Sequence, residues 1–224
     1  MNIACIGSHP DDVELAMAGT ILRMKKKGHS VVLIDLSNGE PTPFGTPEIR
    51  KLESNSAAKI LNVERITLTN KNRYIMDSIE ARSELAAVFR KIKPDIIFTH
   101  YEFDVHPDHG NVCKISEAAR FYSKLTKSEI PGEPFFPLKI VYYFPNHIHV
   151  NLLPTFCVDI SQEILIKEEI LRCYDSQFIR KGNGQVIYEI LQVNRYFGIR
   201  IQKMYAEPFF LRDTLDLDFF KEIV

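Results

Sequence analysis

The chain has 224 residues, and its 28 Lys and Arg nearly balance its 29 Asp and Glu, for a formal net charge of −1. That balance, with no long basic run, lacks the electrostatic footprint of a nucleic-acid binder. No CxxC pair occurs among Cys5, Cys113, Cys157 and Cys173, and no apolar run reaches the roughly 18 residues of a membrane span. The expectation is one domain over 1–224, in a reduced, cytoplasmic protein whose partner is a small molecule rather than nucleic acid or a membrane.

In chain order, NIACIG (2–7) reads as a buried strand, and VELAMAGTILRMKKKG (13–28) has helical apolar spacing with lysines and Gly28 at its end. SVVLIDL (30–36) is the next strand, followed by the proline-rich loop NGEPTPFGTPE, the helix EIRKLESNSAAKILNV and the short strand RITLT. The helix DSIEARSELAAVFRKIK precedes the strand PDIIFTH, and the helix HGNVCKISEAARFYSKL follows. After a turn-rich stretch come the strands LKIVYYF and TFCVDI, a helix running from Ser161 to Phe178, a loop with Gly182 and Gly184, and a last helix to about Met204. Repeated βα units imply an α/β, Rossmann-like, doubly wound and mostly parallel sheet. Its expected core order is 3-2-1-4-5, with helices on both faces.

One pattern recurs. SHPDD (8–12) follows the first strand, and DVHPDH (104–109) follows the fourth. In the expected strand order these two are neighbours, so both turns lie at the crevice where ligands of such sheets bind. Pro10 and Pro107 at helix starts, with acids in the first turn, are ordinary helix-initiation chemistry. Initiation does not require the imidazoles of His9, His106 and His109. A dinucleotide site fits poorly, because the G-x-G-x-x-G fingerprint is missing and Asp11 and Asp12 would repel a diphosphate where the helix should receive it. Imidazoles and carboxylates from two turns instead supply what a catalytic metal site requires: three ligands of mixed N and O type and one position for water.

These motifs, with AGTI, IDLSNGE, GTPEIRKLESNSAAKIL, VDIS, YDSQF and YAEPF, resemble the LmbE-like, or PIG-L, family of N-acetylglucosamine deacetylases. Among its subgroups the chain looks most like short bacterial members such as the bacillithiol-pathway deacetylases. The resemblance implies zinc as cofactor, though iron or cobalt would suit the same donors. It also implies a small GlcNAc-containing sugar substrate, and a homo-oligomer, trimer or hexamer. Carried over by position, it makes His9, Asp12 and His109 the metal ligands and Asp11 the general base. His106 would stabilise the oxyanion in its protonated form or act as the acid, with Asp108 as its modulating partner, and either Asp11 or His106 would deliver the proton to the leaving amine. Arg50, Asp104 at the cleft rim, and Asn72 would face substrate; many relatives carry aspartate where Asn72 stands. His147 and His149 are expected at a rim or loop, and Tyr205 and Glu207 as closure of the C-terminus. Two other readings stay open: a metallohydrolase of another small amide, and a non-enzymatic Rossmann-like nucleotide-binding module.

Overall fold

The computed structural model describes residues 1–145 and 151–214 together with 216, 218 and 222, apart from the side chain of residue 181. His147 and His149 lie outside the described residues. Seven strands form one sheet: β1 (Asn2–Gly7), β2 (Ser30–Ser37), β3 (Glu64–Asn70), β4 (Ile96–His100), β5 (Lys139–Tyr143), β6 (Phe156–Asp159) and β7 (Ala206–Phe210). Their order is β3-β2-β1-β4-β5-β7-β6. The first five strands are parallel and follow the expected order, whereas β7 runs antiparallel between β5 and β6.

Alternation of side chains along the inner strands explains why both faces are covered. On β1, Ile3 and Cys5 join one apolar cluster and Ala4 and Ile6 the other. A strand whose two faces are both apolar must be buried twice, which is the pattern of parallel sheets. Helices α1 (Asp12–Lys26), α2 (Pro47–Leu61) and α5 (Ile164–Arg172) cover the first face. Helices α3 (Ile79–Ile92) and α4 (Pro107–Ser123) cover the second. Helix α6 (Gln185–Arg200) contributes Ile187 and Ile190 to the first cluster and Phe197 to the second.

Three departures from the sequence reading have local causes. The helix expected to run to Phe178 ends at Arg172, and the chain continues through a π-turn, Asp175–Ile179. Buried polar anchors divert it: the Tyr174 hydroxyl donates to Glu14 Oε1, and the Ser176 backbone N–H and hydroxyl donate to Glu53. The last helix stops at Arg200 instead of about Met204, and β7 follows. The sequence hides β7 because a strand holding Glu207 and Pro208 reads poorly as a central one. Lastly, α1 is broken at Met17, whose φ of −146° and ψ of 22° leave the helical region.

Candidate active site

Parallel pairing sets Ile3 against Ile96 and Cys5 against Phe98, so the turns after β1 and β4 emerge side by side. The first turn is strained: Asp11 sits at φ 116°, in the left-handed region that side chains other than Gly avoid. That kink lets Asp12 fold back, its Oδ2 accepting from the backbone N–H groups of Ser8 (3.0 Å) and His9 (2.9 Å). Asp12 Oδ1 lies 3.2 Å from His109 Nε2, and Oδ2 lies 3.4 Å from His9 Nδ1.

The donor set fits a metal ion. One ligand atom from each of His9, Asp12 and His109 lies within 4.8 Å of the others. Bonds of about 2.0–2.1 Å at a tetrahedral centre put neighbouring ligands about 3.3 Å apart, close to the two separations above. Each imidazole is also turned by a carboxylate on its far nitrogen. His9 Nε2 is 3.0 Å from Asp108 Oδ2, and His109 Nδ1 is 2.8 Å from Asp104 Oδ2. Such outer carboxylates fix ring orientation and raise ligand basicity. Two further acid–imidazole groupings, His9–His106–Asp108 and His100–Asp104–His109, are equally compact. Asp104, Asp108 and His100 do not reach the cavity wall, however, whereas His9, Asp12 and His109 do.

That cavity measures about 490 Å³ and also exposes Asp11, Arg50, Asn72, Arg73 and His106. Arg50 is buried, and its Nη2 donates to the Pro10 carbonyl (2.7 Å) and to Asp11 Oδ2 (3.1 Å), while Nε and Nη1 have no hydrogen-bond partner in the protein. Gly39 allows this approach, since a Cβ there would sit 2.9 Å from Arg50 Nη2. Asn72 Nδ2 donates to the Gly39 carbonyl (2.7 Å), joining two loops of the wall.

Burial pushes the Asp11 carboxyl up to about 6, against the pull of Arg50. For Asp12 burial acts in the same direction, but the neighbouring His109 and His100 outweigh it and hold the group below the usual carboxylate range. His109 is raised to about 10: burial disfavours its charge, and Asp12 and Asp104 more than compensate.

Two positions differ from the sequence reading. Asp104 is not at the cleft rim; its carboxylate is almost fully buried behind His109, because the loop from β4 must turn back to start α4. His106 lies with its Nδ1 accepting the Asp108 backbone N–H, a cap for α4, and the Asp108 carboxylate reaches across to His9 and the Arg73 backbone N–H instead. Burial, with His109 and His9 nearby, lowers His106 to about 4. The imidazole is therefore neutral near pH 7, with its proton on Nε2. Sequence reasoning also missed His100, which stacks on His109 at 4.0 Å and sets Nε2 3.3 Å from Asp12 Oδ2. As the last residue of the strand IIFTH it offered no signal. Gln177, Phe178, Val186 and Glu189 on the far wall were missed as site residues for a similar reason, although YDSQF was among the segments of resemblance.

Residues 4–120, more than half of the chain, match the family described as PIG-L, GlcNAc-PI de-N-acetylase. The chain belongs to the PIG-L family. It is 28% identical over 194 residues to the diacetylchitobiose deacetylase of Thermococcus kodakarensis, covering 79% of this chain and 70% of that one. To a probable N-acetyl-alpha-D-glucosaminyl L-malate deacetylase 2 of Bacillus anthracis it is 28% identical over 196 residues, covering 80% and 83%. Among solved structures, the conserved protein TT1542 from Thermus thermophilus superposes with a TM-score of 0.88 at 33% identity, covering 96% of this chain and 95% of that one. The mixed sheet with helices on both faces is thus the fold of this PIG-L chain, and it is shared with that solved structure.

Proposed function

We propose that this PIG-L protein is a zinc-dependent N-deacetylase, a single domain over 1–224 that removes the acetyl group from a small GlcNAc conjugate. The observation that carries this is the meeting of two distant motifs: His9 and Asp12 from one turn and His109 from the other converge on one cavity, with Asp11 beside them. A divalent ion held by those three would act as a Lewis acid and lower the pKa of a bound water towards 7.

The chain's own residues supply the remaining chemistry. Arg50 grips one oxygen of the Asp11 carboxylate and fixes its direction. With a pKa of about 6, Asp11 is poised to take the proton of the attacking water and pass it to the departing amine, since efficient general acid–base groups titrate near the working pH. Neutral His106 donates from Nε2 to the oxyanion, a role open to an uncharged imidazole in a desolvated site. In the balanced reaction a water oxygen bonds to the amide carbon and the C–N bond breaks. Acetate and a free amine leave. Asp104 and Asp108 act through the ligand imidazoles they orient, and Arg50, Asn72 and Arg73 line the space left for sugar.

A cavity of about 490 Å³ is in the range that encloses a small ligand. It suits an N-acetylhexosamine with a small aglycone. The relatives named for chitobiose and for GlcNAc-malate set the first substrates to try, and a homo-oligomer is proposed from family resemblance and is measurable by light scattering. The test is acetate release from diacetylchitobiose, GlcNAc-malate and GlcNAc-inositol, with and without a chelator. Chelator-sensitive release from at least one is expected. No release from any of the three by zinc-loaded protein overturns the reading.

A further inference from the structure

The break in α1 is stitched from both sides by one buried ion pair. Lys167 on α5 and Glu207 on β7 are fully buried and meet at 2.7 Å. Lys167 Nζ also donates to the Leu15 carbonyl (2.8 Å), which ends the first turn of the helix. On the other side of Met17, Glu207 Oε1 accepts the Gly19 backbone N–H (3.0 Å), and Oε2 accepts the Thr20 backbone N–H (2.7 Å) and hydroxyl (2.6 Å). A helix interrupted at one residue leaves carbonyls without donors on one side and N–H groups without acceptors on the other. The cation meets the first need and the carboxylate the second.

Stability alone is a weak reason for this pair, because desolvating two charges offsets most of their attraction. The turn it isolates is the one with the chemistry. Asp12 and Leu15 both line the cavity, and strained Asp11 immediately precedes the helix. Gly19 holds the second segment close to Ile160, the residue that follows β6, since a Cβ there would lie 2.7 Å from Ile160 Cγ2. The short first turn is therefore free to take an angle that a continuous helix would forbid.

We infer that Lys167 and Glu207 are positioning residues for the catalytic turn: they maintain the break at Met17 and so set where Asp11 and Asp12 point. Without the pair, the Leu15 carbonyl and the Gly19 and Thr20 N–H groups lose their partners. The helix then relaxes towards continuous α-geometry at Met17 and swings the first turn. This inference rests on the proposed function for the importance of that turn, but the break and its ties are independent of it.

The test compares wild type with Lys167→Met and Glu207→Gln, using Arg172→Ala on the exposed face of α5 as control. Three quantities are read: amide hydrogen exchange across 12–20 without added metal, cobalt affinity by chelator competition with the visible cobalt band, and kcat separately from KM. Both variants should exchange faster across 12–20 while the sheet amides hold, and bind cobalt about 10–100-fold more weakly, the usual effect of a lost outer-shell support. The cobalt band should shift, and kcat should fall about 10–100-fold with KM changed less than about threefold, since displacing a catalytic group by ~1 Å costs about that much. If either variant fails to fold, Thr20→Val, which removes only the hydroxyl bond to Glu207, should move the same readouts in the same direction by a smaller factor. Unchanged exchange at 12–20, cobalt affinity within twofold and an unaltered band, with only the unfolding temperature lowered, would overturn the inference. If wild type itself takes up no cobalt, the metal reading fails and the exchange data alone decide this one.

Discussion

Asp11 is the residue on which turnover should depend most steeply without loss of metal. Asp11→Asn keeps the shape of the side chain and removes the base. The expected result is metal content equal to wild type, with kcat lower by roughly 10²–10⁴, the usual worth of general acid–base help; unchanged kcat would remove Asp11 from the mechanism. His109→Ala should instead lose the metal, which elemental analysis of dialysed protein reads directly, and full occupancy would refute its assignment as ligand. Asp104→Asn separates orientation from ligation. It keeps a contact to His109 Nδ1 but weakens the partner's charge, so zinc affinity should fall about 10–100-fold with the fold intact. A substrate-rim role for Asp104 predicts a raised KM with unchanged zinc affinity. The convergence of the two turns was legible because the same His-Pro-Asp recurs after two strands that parallel topology makes neighbours. The outer carboxylates were not, since the way Asp104 and Asp108 point depends on how two loops meet across nearly a hundred positions of sequence.

Elements were legible where periodicity decides them. The five parallel strands and their order follow from apolar runs alternating with amphipathic helices, and the chain obeys that logic through α4 and β5. Legibility ends where buried polar anchors decide instead, at the π-turn held by Tyr174 and Ser176 and at β7, whose Glu207 points into the helical layer. The packing of α6 onto the segment before β7 gives a clean stability prediction. A Cβ at Gly198 would meet the Met204 carbonyl oxygen and the Tyr205 nitrogen, both at 2.6 Å. Backbone cannot yield as a flexible side chain can, so Gly198→Ala should cost about 1–3 kcal/mol and be visible in thermal unfolding; an unchanged midpoint would contradict this packing. The end of β2 gives a pH prediction. Burial raises the Asp35 carboxyl to about 7 against the pull of Arg65. An acid whose folded value exceeds its unfolded value near 3.9 binds more protons when folded, so its contribution to stability falls as pH rises from about 4 to about 7. Denaturant titrations of Asp35→Asn should show a shallower decline over that interval than wild type, and identical slopes would show that Asp35 ionises normally.

On the scale of the whole molecule, near-neutral charge, a cavity lined by His9, Asp12 and His109 and a doubly covered sheet describe a scaffold for small-molecule chemistry. No helix among the described residues is long and apolar enough to cross a membrane. Fold alone does not fix a reaction, because sites are grafted on folds. What points to the reaction is the convergence of His9, Asp12 and His109 beside Asp11, together with membership of the PIG-L family. The most direct test is a zinc titration of chelator-stripped protein, following acetate release from whichever GlcNAc conjugate it cleaves. The account predicts negligible release from the stripped protein and full recovery at one zinc per chain. Full activity in the stripped protein, or recovery without zinc or another divalent ion, would contradict it.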